Sequence, residues 1–153
     1  MYSKILVAVD LRKESRKVIK KAMSLLTPNG KLTLLHVIDP SDFGLFSALP
    51  FPGVFNVKNA EVEIMEKTQQ KLSKLAESFD IPQKSTLLKT GKASSLVKET
   101  AAELKSDVIV LGTHGQKGFE LLLGSTANGV LHGAPCDVLT VQMRVNKKAL
   151  RGL

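Results

Sequence analysis

The stretch Gly112-Thr113-His114-Gly115-Gln116-Lys117-Gly118-Phe119-Glu120-Leu121-Leu122-Leu123-Gly124-Ser125-Thr126 carries the residue types of an anion site. An apolar run, Asp107 to Leu111, leads into it, and a helical pattern begins near Gly124-Ser125. Glycines let a backbone approach a ligand closely. Amides at a helix start, with their partial positive charge, attract phosphate. Ser125 and Thr126 add hydroxyl donors there, or one of them caps the helix; the two roles are compatible. A second chemical feature is a carboxylate, Asp10, closing the apolar run Lys4-Ile5-Leu6-Val7-Ala8-Val9.

Other chemistries lack their signatures. There is no P-loop, no dinucleotide Gly-x-Gly-x-x-Gly turn, no Gly-x-Ser-x-Gly elbow and no His-Glu-x-x-His. His36, His114 and His132 are scattered, and His132 reads as a helix-end cation or packing residue. The single cysteine, Cys136, has no intrachain disulfide partner and reads as a buried structural thiol. The net charge of +8 is clustered at Arg12, Lys13, Arg16, Lys17, Lys20 and Lys21, and again at Arg144, Lys147, Lys148 and Arg151. These are solvated faces or a field for phosphate-bearing partners. Stacking aromatics are scarce, at 5% with no Trp, so nucleic acid is not the expected partner.

These residues need elements to place them. Lys4–Asp10 reads as a strand covered on both faces. Val18, Ile19, Ala22, Met23, Leu25 and Leu26 trace a helix, stopped by Pro28-Asn29-Gly30. Leu32–Ile38 is a second strand. The Phe-rich segment 41–57 follows, as a satellite core, a dimer contact or a lid. A helix over about 60–79 shows a stripe of Met65, Thr68, Leu72, Leu75, Ala76 and Phe79. Next come a strand near 85–89, a helix over 93–105 with Leu96, Val97, Thr100, Ala101 and Leu104 inward, and a strand at 107–111. A short helix from about 125 and a strand at 137–143 complete the chain. Alternating strands and helices predict an α/β fold: a single-domain, doubly wound, five-stranded parallel sheet with helices on both faces. Ligands then bind beyond the carboxyl ends of strands, near Ala8–Asp10, His36–Ile38 and Leu111–Gly115.

Over nearly its whole length the chain resembles the universal stress protein family. The resemblance rests on Ile5–Asp10, Leu35-His36-Val37, Val110–Gly115, Gly124-Ser125-Thr126 and Ala134–Leu139. Nucleotide-binding members place nine residues between the second glycine and Gly-Ser/Thr. Here eight separate Gly115 from Gly124, which bears on how the loop wraps phosphates. Asp137 stands where many relatives carry Pro, as in the A-type branch, some of whose members have degraded glycines and bind no ATP. The glycines here are intact.

Carried over by position, the resemblance implies an adenine and ribose slot at Ala8, Val9, Asp10, Val37 and Leu111. Asp10 would accept a ribose hydroxyl or help hold Mg²⁺. Gly112, His114, Gly115, Gly124, Ser125 and Thr126 would hold the phosphates, although His114 reads equally as an exposed loop residue. Residues 1–143 are expected to form the nucleotide-binding domain and 144–153 a basic tail. The expected function is a stress-response protein binding ATP, ADP or AMP as a regulatory module, with no catalytic residue recognised. The alternatives are a nucleotide-free scaffold or chaperone-like interaction protein, or a weak ATP hydrolase. A homodimer around the last strand is implied, with Val138, Leu139, Val141 and Met143 as its apolar edge. The lack of a signal-peptide pattern and of any membrane-length apolar run predicts a cytoplasmic protein.

Overall fold

The structure, a computed structural model, describes residues 1–40, 57–113 and 123–143. Residues 41–56 of the Phe-rich segment, His114, Gly115 and the basic tail lie outside the described residues. The element order is β1 (Tyr2–Ala8), α1 (Ser15–Met23), β2 (Leu26–Ile38), α2 (Val57–Glu77), a 3-10 turn (Gln83–Ser85), β3 (Thr86–Thr90), α3 (Ala93–Glu103), β4 (Val108–Gly112), α4 (Ser125–Leu131) and β5 (Asp137–Val141). The five strands are all parallel, in the order β3-β2-β1-β4-β5.

The period-two alternation of β1 explains both layers. Ile5, Val7 and Val9 turn to one face, where they meet Val18, Ile19 and Ala22 of α1 and Leu72 and Ala76 of α2. Leu6 turns to the other face, against Val97 and Ala101 of α3 and Ala127 and Val130 of α4. Because both faces are covered, the strand reads as one continuous apolar run. At the amino ends of the strands, carboxylates join the sheet. Asp107 accepts from the amides of Ser3 (2.9 Å) and Lys4 (2.7 Å), and Asp137 from the Tyr2 hydroxyl (3.0 Å).

Two sequence expectations need correction. Helix α1 ends at Met23, and Pro28-Asn29-Gly30 lies inside β2 instead of stopping the helix. The Tyr2 amide donates to the Leu25 carbonyl (2.8 Å), and the ladder starts with Tyr2 opposite Leu26. Pairing then jumps to Lys4 opposite Lys31, so Pro-Asn-Gly forms the bulge. Turn residues here break a strand ladder, and Leu25 and Leu26 leave the helical stripe. The inward stripes are also shorter than the periodicity predicts. Leu72 and Ala76 are buried, whereas Met65 is 44% and Leu104 38% exposed. Among the described residues of α2, only the carboxyl half supplies core residues on the sheet.

Helices α3 and α4 approach closely at Gly129, where an added Cβ would stand 2.7 Å from the Ser94 Cβ. Gly129→Ala should therefore force the pair apart and cost about 1–3 kcal/mol in denaturant unfolding; an unchanged midpoint would contradict this packing. Beside them, the fully buried Thr100 has a hydroxyl without a hydrogen-bond partner. An unmet buried hydroxyl carries a desolvation cost, so Thr100→Val should raise stability by about 1 kcal/mol, or about 2–4 °C in Tm. A drop in Tm would show that the hydroxyl is satisfied in solution.

Candidate functional site

The strand order reverses between β1 and β4, so a crevice opens beyond their carboxyl ends. Ala8, the last residue of β1, pairs with Leu35 on one side and Leu111 on the other. Ala8, Val37 and Leu111 all pack on the α3/α4 side of the sheet and form an apolar floor at this edge. Val9 parts from them. Its side chain is 8% exposed and belongs to the core on the α1/α2 side. The alternation of the strand sends neighbours to opposite faces, so Ala8 and Val9 cannot line the same wall.

Val9 contributes through its backbone. Its amide donates to the Leu35 carbonyl (2.9 Å), and its carbonyl accepts from His36 Nδ1 (2.7 Å). A carbonyl only accepts, so Nδ1 is the donor in this bond. His36, half-buried, thus ties the ends of β1 and β2 together. The sequence signal was a histidine within the strand-end motif Leu35-His36-Val37, which assigned it no role.

Asp10 is drawn into the turn that starts α1. Its Oδ1 accepts from the Arg12 amide (3.1 Å) and the buried Ser15 hydroxyl (2.8 Å), while Oδ2 lies 3.8 Å from Arg12 Nε. Leu11 between them adopts φ 61°, a left-handed conformation uncommon outside glycine. The carboxylate therefore has a structural duty, and further lone pairs remain for a ligand.

Beyond β4, Thr113 is a junction. Its amide donates to Val141 O (3.0 Å), its hydroxyl accepts from the Met143 amide (3.4 Å), and its carbonyl accepts from the Gly124 amide (2.7 Å). That last bond brings the start of α4 back to the end of β4. It also uses the Gly124 amide, which the sequence had assigned to phosphate. The amides of Ser125, Thr126 and Ala127 precede the first helical bond, Asn128 N–H to Gly124 O (2.9 Å), and have no intrahelical acceptor. The N-cap position is Gly124 itself, so neither hydroxyl is the cap. The Met143 side chain covers Gly112, where an added Cβ would meet its sulfur at 3.0 Å. Thr113 and Met143 were missed because their roles depend on β5 lying beside β4.

Other candidates resolve into structural roles. His132 is exposed at the end of α4, its Nδ1 bonded to Asn128 O (2.8 Å), which agrees with a helix-end residue. Cys136 packs, half-buried, against the α3/α4 core. Burial pushes its thiol pKa up, and the carboxylates of Asp137 and Asp107 add to the effect. Among the described residues, no group of three His, Cys, Asp or Glu is placed to hold a metal ion. No helix among them is long and apolar enough to cross a membrane.

Residues 1–142 match the model of the universal stress protein family. The chain belongs to that family. Universal stress protein A homolog 1 of Coxiella burnetii is 37% identical over 144 residues, covering 94% of this chain and 98% of that protein. Universal stress protein A of Escherichia coli is 29% identical over 147 residues, covering 94% and 96%. Among solved structures, the hypothetical protein MJ0577 superposes with a TM-score of 0.78 at 22% identity, covering 96% of this chain and 99% of that one. A universal stress protein in complex with cAMP superposes at 0.60 with 19% identity, covering 94% and 98%. The structural likenesses establish the shared universal stress protein fold. The family assignment rests on the sequence matches.

The raised thiol pKa makes Cys136 a poor nucleophile. Alkylation by iodoacetamide should be slower than for free cysteine near neutral pH, with its pH midpoint displaced upward. The folded state holds this proton more tightly than the unfolded chain, so the group's stabilising contribution is present below the unfolded pKa. It is lost as pH rises through the higher folded value. A midpoint at or below that of free cysteine would overturn this reading.

Proposed function

We propose that this universal stress protein binds an adenine nucleotide, ATP, ADP or AMP, at the carboxyl edge of β1 and β4 and acts as a regulatory module of the stress response. One observation carries the proposal. The hydrogen bond from Gly124 to Thr113 joins the start of α4 to the end of β4, beside the apolar floor of Ala8, Val37 and Leu111. An apolar surface for a base then adjoins the amides of Ser125 and Thr126, which suit phosphate. Gly112, His114 and Gly115 complete the phosphate side in this reading, and the solved relative in complex with cAMP lends it support by analogy. Asp10 would face the ribose. It would also be a single oxygen ligand for Mg²⁺, an ion that keeps several waters and arrives with phosphates.

A homodimer through β5 belongs to the same reading. The outer edge of β5 has no partner strand among the described residues. The apolar side chains expected to drive it are already engaged: Leu139, Val141 and Met143 pack into the α1/α2 core and Val138 into the other. Association would therefore depend on backbone pairing along that edge.

Calorimetry with Mg-ATP should give one site per chain. Ser125→Asp keeps a residue type favoured at helix starts but places a negative charge at the phosphates, and Ala8→Leu fills the apolar floor. Each should weaken binding at least tenfold while circular dichroism stays unchanged. Absence of binding by the wild-type chain, or full affinity in both variants, would defeat the proposal.

A further inference from the structure

Helix α1 and the turn leading into it present Lys13, Arg16, Lys17, Lys20 and Lys21 to solvent. The helix itself contains no acidic residue. Lys13, Lys20 and Lys21 make no ion pair with any described residue. This arrangement opposes the helix's own stability. Arg16–Lys20 and Lys17–Lys21 are like-charge pairs four residues apart within the helix, and such pairs destabilise a helix. Lys13 and Arg16 also sit at the end where the helix dipole disfavours cations. The fold does not need five cations here to bury its core, which uses Ser15, Val18, Ile19 and Ala22 on the opposite side.

Two of the cations are held in position. The Arg16 guanidinium lies 4.9 Å from the Phe79 ring centroid and donates to the Ser78 hydroxyl (3.1 Å). Lys17 Nζ donates to the Gln142 carbonyl (2.6 Å). Each keeps further donors, since an ammonium has three and a guanidinium five.

We propose that the exposed face of α1 docks on the phosphate backbone of a nucleic-acid duplex, through charge and without base readout. The scarcity of aromatics weighs against single strands, which are gripped by stacking, but duplex backbone contacts need only cations. A lipid surface fits less well. The apolar side of α1 is spent in the core, with Val18, Ile19 and Ala22 at most 2% exposed, so Met23 alone is left on the helix as an exposed apolar side chain, too little to insert as a face. The face lies on a layer different from the carboxyl-edge crevice and does not depend on nucleotide binding there.

The test is fluorescence anisotropy of a labelled random-sequence DNA duplex with the full chain. Four to five phosphate contacts predict binding that weakens by roughly two orders of magnitude between 50 and 200 mM salt. Sequence changes in the duplex should leave it unaltered. Lys20→Gln with Lys21→Gln should lower affinity at least tenfold and reduce the salt slope by about 2 units. Lys84→Gln with Lys92→Gln removes the same net charge elsewhere and should change affinity little. No binding at 50 mM salt, equal losses in the two double variants, or α1-dependent binding confined to anionic phospholipid vesicles would overturn the proposal.

Discussion

The central strand is the constraint from which the rest follows. β1 is hydrogen-bonded on both edges, to β2 and β4, and packed on both faces, so Ile5, Leu6 and Val7 are at most 2% exposed. Burying each such side chain contributes roughly 1.5–3 kcal/mol, which makes this segment expensive to displace. Its position also fixes the crevice. With β2 on one side and β4 on the other, connections leave its neighbours in opposite directions, and only there do loops part at the carboxyl edge. Ala8 ends the strand between Leu35 and Leu111, so the same ladder that stabilises the sheet sets the floor of the candidate site.

Around that floor, side chains serve structure and site together. Asp10 organises the turn into α1 through Arg12 and Ser15, and His36 holds the carbonyl of Val9. Thr113 gathers the end of β5 and the start of α4 onto the end of β4. A ligand entering here would meet groups whose positions are already set by protein hydrogen bonds. Preorganisation of this kind lowers the ordering cost of binding. The opposite, amino edge is closed by Asp107 and Asp137 in purely structural bonds, although these too are carboxylates near strand ends. Residue type alone does not separate the two edges; strand direction does.

Much of this architecture was legible in the residues. Continuous apolar runs at Lys4–Val9 and Asp107–Leu111 reported strands buried on both faces, and the alternation with helical stripes reported a parallel sheet. The Gly112 to Thr126 stretch located the junction of β4 and α4. The reading was weaker where a local signal has two structural outcomes. Pro28-Asn29-Gly30 can end a helix or bulge a strand, and the pairing of Tyr2 with Leu26 selected the bulge. Met65 continues a helical stripe, but exposure depends on whether the sheet extends beneath it.

By itself, the sequence determined the fold class and the strand and helix succession, because these follow from periodicity and local motifs along the chain, and its matches to related sequences placed it in the universal stress protein family. Tertiary structure alone decided that Val9 faces away from Ala8, Val37 and Leu111, and that the Gly124 amide is spent on Thr113. It also decided that Met143 covers Gly112 and that the β5 side chains fill their own cores. Those outcomes depend on which atoms from distant parts of the chain become neighbours. Hydrogen-bond capacity and apolar surface are consumed by whichever partner arrives, and a linear reading does not contain that partner.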